Sequence, residues 1–139
     1  MNIAVVYWSG TGNTEQMAQK VALGARQAGA TVDIFTAADF SATQVASYDG
    51  LAFGCPAMGA EVLEEEEFAP MFDGCLPKLA GKPIALFGSY GWGDGEWMRS
   101  WESRCNDDGA NLACESVICN EAPDDDALAA CRELGASLA

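Results

Sequence analysis

Between an apolar run and a helical pattern lies Ser9-Gly10-Thr11-Gly12-Asn13-Thr14, four neutral side-chain donors interleaved with two glycines. In an α/β protein this is where a phosphate is usually held. Gly10 and Gly12 can take positive φ and let backbone N–H groups converge on an anion. Asn13 or Thr14 then begins a helix whose N-terminus favours negative charge. The loop has no lysine, arginine or histidine, and the chain has no histidine at all. His-based acid–base catalysis and histidine metal sites are thereby excluded. The G-x-x-x-x-G-K-[ST] pattern of a triphosphate loop is absent, and Glu15 stands where G-x-G-x-x-G needs its third glycine. Neutral donors without bridging Mg²⁺ suit one terminal phosphate better than a triphosphate. Taken alone, an ordinary strand–helix turn with a Ser/Thr cap is a serious competing reading.

Three more segments repeat the placement. Cys55-Pro56-Ala57-Met58-Gly59-Ala60-Glu61 follows the third apolar run. A methionine in a loop is more often a core plug, and a glycine more often just a turn. Ser89-Tyr90-Gly91-Trp92-Gly93-Asp94-Gly95 follows the fourth run, with four glycines among the eight positions 88–95. A tryptophan flanked by glycines is poorly placed for a core and well placed as a flat wall on a planar ligand. A polar stretch around Asn120 follows the fifth. Each segment alone is weak; their recurrence at successive strand ends is the signal.

The elements that must position them are five apolar runs: Ile3–Trp8, Val32–Thr36, Leu51–Cys55, Ile84–Gly88 and Leu112–Ile118. Met17, Ala18, Val21, Ala22, Ala25 and Ala28 recur at helical spacing between the first two, with Gly29 as C-cap. Further helices are expected near 42–47, 64–76, 95–107 and 125–138. Strand–helix alternation five times over predicts a three-layer, doubly wound, five-stranded parallel sheet. Asp33 and Glu115 mark the second and fifth strands as edges, and right-handed crossovers give the order 2-1-3-4-5. The first and third strands then leave in opposite directions, and a ligand is expected at their carboxyl ends.

A chain of 139 residues, half of them apolar, suits one domain over residues 1–139. The opening run lacks a basic n-region and a cleavage site, and no stretch is long enough to span a bilayer, so a cytoplasmic protein is expected. Six cysteines without a C-x-x-C pair read as free buried thiols, with neither disulfide framework nor iron–sulfur ligand spacing. The net charge of −14 argues against nucleic acid and anionic membrane. It is uneven: 4 acidic against 2 basic side chains in residues 1–60, and 17 against 5 in residues 61–139. Solubility is the bland reason for that excess, and steering toward a basic partner the sharper one.

The segments "VYWSGTGNTE", "GCPAMG-E", "LFGSYGWGDGEWM" and "NE-PD" together resemble the short-chain flavodoxins, close to those of clostridium-like anaerobic bacteria. The resemblance runs over essentially the whole chain. The fifth strand lacks the long insertion of long-chain relatives. The resemblance implies a flavodoxin-like fold with non-covalent FMN and no metal. It also implies a low-potential electron carrier, not an enzyme, that passes electrons singly between semiquinone and hydroquinone and substitutes for ferredoxin. By resemblance, Ser9, Gly10, Thr11, Gly12, Asn13 and Thr14 hold the phosphate, while Met58 and Trp92 flank the ring. Glu61 accepts from flavin N3–H. Pro56, Ala57, Gly59, Ala60, Ser89, Tyr90, Gly91, Gly93, Asp94, Gly95 and Asn120 complete the site. Pro56 stands where many relatives place a serine or threonine that reaches the phosphate, and proline has neither hydroxyl nor N–H to do so. The implied partners are ferredoxin-type oxidoreductases with a basic docking face, and a monomer is expected.

Within that resemblance, the peptide after Gly59 flips to receive N5–H of the semiquinone. The flip interconverts type II and type II′ turns; type II needs positive φ at Ala60 and type II′ at Gly59, so the Gly-Ala order favours the flipped form. The run Glu61–Phe68, "EVLEEEEF", is read jointly as a helix start whose acids favour the macrodipole and as part of an acidic docking rim. Asp94, Glu96 and Glu121 lie beside it. Cys55 is read as a packing thiol. A phosphoacceptor receiver domain shares the strand order but needs acids after the first strand and an aspartate ending the third, where Ser-Gly-Thr and Cys-Pro-Ala stand. A small tyrosine phosphatase needs a cysteine loop closed by an arginine, and no arginine stands near Cys55 in the chain. A substrate-reducing flavin enzyme lacks an evident pocket beyond the flavin.

Overall fold

The computed structural model describes residues 1–139. Its elements run β1 Asn2–Tyr7, α1 Asn13–Gln27, β2 Thr31–Thr36, β3 Gly50–Gly54, α2 Phe68–Cys75, β4 Pro83–Tyr90, α3 Glu96–Asp107, β5 Asn111–Leu112, β6 Val117–Asn120 and α4 Asp125–Leu138. All strand pairs are parallel, in the order β2-β1-β3-β4-β5, with β6 also on β4. This is the order expected from strand–helix alternation.

The period of two in β1 divides the interior. Ile3, Val5 and Tyr7 enter one core with α1 and α4, and Ala4 and Val6 enter the other with α2 and α3. The second core is rich in aromatics: Phe68 and Phe72 stack, and both meet Trp101 edge-on. On the first side α1 and α4 approach closely through Gly24 and Gly135. A β-carbon on Gly24 would lie 1.9 Å from Arg132 O, and one on Gly135 1.9 Å from Val21 O.

Three elements differ from the expectation. The strand expected over Leu112–Ile118 is broken into β5 and β6, and Ser116 turns its hydroxyl to Glu102 at 2.6 Å. Glu115 thus lies in the break and not on an edge strand. The helix expected at 64–76 starts at Phe68, because Glu64 caps it from outside. The segment 42–47 is 3₁₀, with Gln44 Oε1 accepting from Ser41 N–H at 2.8 Å; such short runs are where that geometry is usual. In addition, β4 runs two residues past Gly88, which puts Ser89 and Tyr90 in register with Cys119 and Asn120.

Candidate functional site

Sheet hydrogen bonding continues past the strand ends and sets where each loop departs. Trp8 N–H donates to Gly54 O at 3.0 Å, Ala57 N–H to Ser89 O at 3.0 Å, and Glu121 N–H to Tyr90 O at 2.7 Å. Four loops therefore leave one end of the sheet side by side.

In the first loop Gly12 has φ 97° and is the N-cap of α1. A residue with a β-carbon is strained there. Ser9 Oγ accepts from Gly12 N–H at 3.1 Å. Gly10 does not take positive φ; its reason for being glycine is space, because a β-carbon would come within 3.0 Å of the Trp8 ring. The N–H groups of Gly10 and Thr11 have no partner within the chain, nor do the side chains of Thr11 and Asn13. Thr14 is buried, with its Oγ1 3.3 Å from Ser89 Oγ on β4.

The second loop is held at its base. Cys55 O accepts from Trp97 Nε1 at 3.1 Å, and its thiol accepts from Glu64 N–H at 3.4 Å. Burial pushes that thiol up to about 12, so it stays protonated at neutral pH. Met58 and Val62 then exchange both backbone hydrogen bonds, at 2.8 and 3.0 Å, closing the Gly59-Ala60-Glu61 turn. Positive φ falls on Gly59, at 47°, and not on Ala60, but the turn is closed between Met58 and Val62 and is not the four-residue type II or II′ turn. A second positive φ, 56° at Glu61, has no mark in the sequence. The Glu61 carboxylate lies over Gly93 and its Oε1 accepts from Asp94 N–H at 3.3 Å and Glu96 N–H at 3.2 Å. It caps α3 and ties the turn to the third loop, Gly91–Gly95.

Trp92 stands on that third loop with 70% of its surface exposed. Arg99 pairs with Asp94 at 2.9 Å, both in solvent.

Between the loops is a cleft of about 550 Å³, within the range of small-molecule sites. Of the expected residues it is lined by Ser9, Gly10, Thr11, Asn13, Thr14, Pro56, Ala57, Met58, Ser89, Tyr90 and Gly91. Gly12, Gly59, Ala60, Glu61, Trp92, Gly93, Asp94 and Gly95 lie on the surrounding loops. Asn120 instead lines a separate groove against α4, and Glu121 and Ala122 reach the cleft in its place. Trp8 also lines it, having looked in the sequence like the last residue of a strand. No lining side chain is basic.

The acidic run after the turn divides by burial. Glu64 is 6% exposed and accepts three N–H groups, from Glu66, Glu67 and Phe68, each at 2.8 Å. Burial raises its pKa, and the three N–H groups together outweigh this and hold it below its ordinary value. Glu65, Glu66 and Glu67 are exposed. Glu64 is therefore the cap of α2 and leaves the rim to its neighbours.

A doubly wound sheet of this order, with a cleft of neutral donors at the switch point of β1 and β3, defines an α/β protein that holds a small ligand at its strand ends. The flavodoxin family profile matches residues 5–135, and the chain belongs to that family. It is 46% identical over 137 residues to the flavodoxin of Megasphaera elsdenii, covering 99% of this chain and 98% of the relative. It is 45% identical to that of Clostridium beijerinckii, covering 97% of each. The solution structure of two-electron reduced Megasphaera elsdenii flavodoxin superposes with a TM-score of 0.90, over 98% of this chain and 97% of the other. Flavodoxin is itself a usual illustration of the switch-point rule. As a member of the family this protein is an FMN-bearing electron carrier that serves redox partners, not an enzyme. None of its helices is long and apolar enough to cross a membrane.

Proposed function

We propose that the single domain of residues 1–139 binds FMN in the cleft between the four loops. The phosphate lies on residues 9–14, and the ring lies between the Met58 and Trp92 loops. The observation that carries this reading is the set of unpartnered donors at one end of the cleft: the N–H groups of Gly10 and Thr11 and the side chains of Thr11 and Asn13. Apolar groups of Ala57, Met58 and Tyr90 line the cleft beside them. The residues present therefore fit a planar ring carrying one phosphate monoester. Bound FMN supplies one-electron redox chemistry; the protein supplies position and field. Neutral donors hold the phosphate without a counter-cation. Met58 and Trp92 exclude water from the ring faces. Glu61, with Oε1 on the N-terminus of α3, can offer its other oxygen to the ring edge.

The carboxylates around the cleft, Glu61, Asp94, Glu96 and Glu121, favour redox partners with a basic face and a low potential. All residues lining the cleft come from one chain, which suits a monomer. The six free thiols suit a reducing, cytoplasmic compartment. The test is an absorbance spectrum of the purified protein, followed by titration of apoprotein with FMN. A flavin spectrum and a 1:1 end point are expected, with a long-wavelength band midway through dithionite reduction. A purified protein that neither carries nor takes up flavin would refute the assignment.

A further inference from the structure

Trp8 stands between the loop of residues 9–14 and the start of α2. The edge of its six-membered ring lies against Gly10, where a β-carbon would come within 3.0 Å of Cη2 and 3.2 Å of Cζ3. The Trp8 backbone is fixed by its N–H bond to Gly54 O at 3.0 Å. The freedom that remains is in the two side-chain torsions. Those are held by packing of the ring against the core and by the indole N–H, which donates to Glu67 Oε1 at 3.1 Å across 59 residues of sequence. The same ring lines the cleft on one side and, with Gly10 and Glu67, a second hollow on the other. It is the partition on which Gly10 rests.

The unpartnered N–H groups of Gly10 and Thr11 directly follow Trp8 in the chain. A rotated indole would strike or release Gly10, and both donors would turn with it. We propose that the Trp8–Glu67 pair is a strut that aims the Gly10 and Thr11 N–H groups at a phosphate monoester, making both side chains positioning residues for selection of the phosphorylated cofactor. This rests on the reading that residues 9–14 hold the phosphate. The negative charge of Glu67 opposes a nearby anion, so the useful contribution is its hydrogen bond. Glu67→Gln keeps the acceptor without the charge, and Glu67→Ala removes both.

The test measures dissociation constants of apoprotein for FMN and for riboflavin, by quenching of flavin fluorescence. The proteins are the parent, Glu67→Gln, Glu67→Ala, Trp8→Phe and the Trp8→Phe/Glu67→Ala pair. Only an effect on the phosphate separates the two ligands, whereas a general loosening of the cleft weakens both. Trp8→Phe and Glu67→Ala are each expected to weaken FMN roughly fivefold, the size of one hydrogen bond, with riboflavin unchanged. The double variant should lose no more than Trp8→Phe alone, since Glu67 acts only through the indole N–H that Trp8→Phe already removes. Glu67→Gln should bind FMN at least as well as the parent. Equal losses for the two ligands, or no loss, would overturn the strut while leaving the phosphate reading in place. Trp8→Phe keeps an aromatic ring against the core and decides the matter if Glu67→Ala does not fold. A parent protein that binds riboflavin as tightly as FMN would overturn the phosphate reading, and the strut with it.

Discussion

Glu64 is one of four consecutive glutamates, yet it alone is buried and fully engaged. Its three N–H partners belong to the first turn of α2 and the residues leading into it, which have no acceptor of their own. Glu64→Gln replaces one carboxylate oxygen by an NH₂ that faces N–H donors. The variant should lose roughly 1–3 kcal/mol of stability at pH 7, read by urea denaturation. The pH dependence has a definite sign. The folded pKa is depressed, so this stabilisation is fully present above the unfolded value, about 4.3, and is lost as pH falls through the lower folded value. The gap between the parent and Glu64→Gln should therefore narrow on going from pH 6 to pH 3. A constant gap would mean that the carboxylate's charge is irrelevant to the cap. The sequence could not distinguish Glu64 from Glu65, because four identical residues carry no register. Ser9–Thr14 was legible because its donors are contiguous. Trp8 was not, since its partner lies 59 residues away.

At the scale of elements, two glycines in the last turns of helices call for opposite outcomes. Gly135 lies where α4 crosses α1, and an added β-carbon would meet the backbone of Val21 and Ala25 at 1.9–3.0 Å. Backbone cannot rotate aside as a side chain can, so the helices must separate. Gly135→Ala should cost about 1–3 kcal/mol. Gly74, in α2, has nothing within 4 Å of its would-be β-carbon and no positive φ. Gly74→Ala should stabilise by about 0.5–1 kcal/mol through helix propensity and reduced freedom of the unfolded chain. Urea midpoints of the two variants should move in opposite directions, and a shared direction would show that helix propensity alone governs both. The central strands were readable because burial on both faces makes them uniformly apolar. The fifth was not, since a run of the same character can leave the ladder when a side chain such as Ser116 finds a partner off the sheet. The start of α2 was hidden for a related reason: its cap is a glutamate four residues upstream, not a serine or aspartate beside it.

Over the whole molecule the charge is −14, and the carboxylates crowd the cleft end through Glu61, Glu67, Asp94, Glu96 and Glu121. Adding an electron to a cofactor in that field is opposed by all of them at once. The exposed ones are reached by salt, because the screening length falls from about 30 Å at 0.01 M to about 3 Å at 1 M. The lower of the two one-electron potentials should therefore become less negative by tens of millivolts between those limits, with about 59 mV corresponding to ~1.4 kcal/mol for one electron. Neutralising Glu65, Glu66 and Glu121 together should reproduce part of that rise at low salt and flatten its salt dependence. Glu64 is excluded from the set, since its charge is committed to α2 and its removal would confound field with fold. If partners dock through a basic face as proposed above, their association should slow over the same range of salt, because the same carboxylates would steer the encounter. Both readouts can be taken on one preparation, by spectroelectrochemical titration and by stopped flow. A salt-independent potential alongside a salt-dependent rate would confine the role of the surface charge to docking, and would leave the low potential to the apolar walls of the cleft.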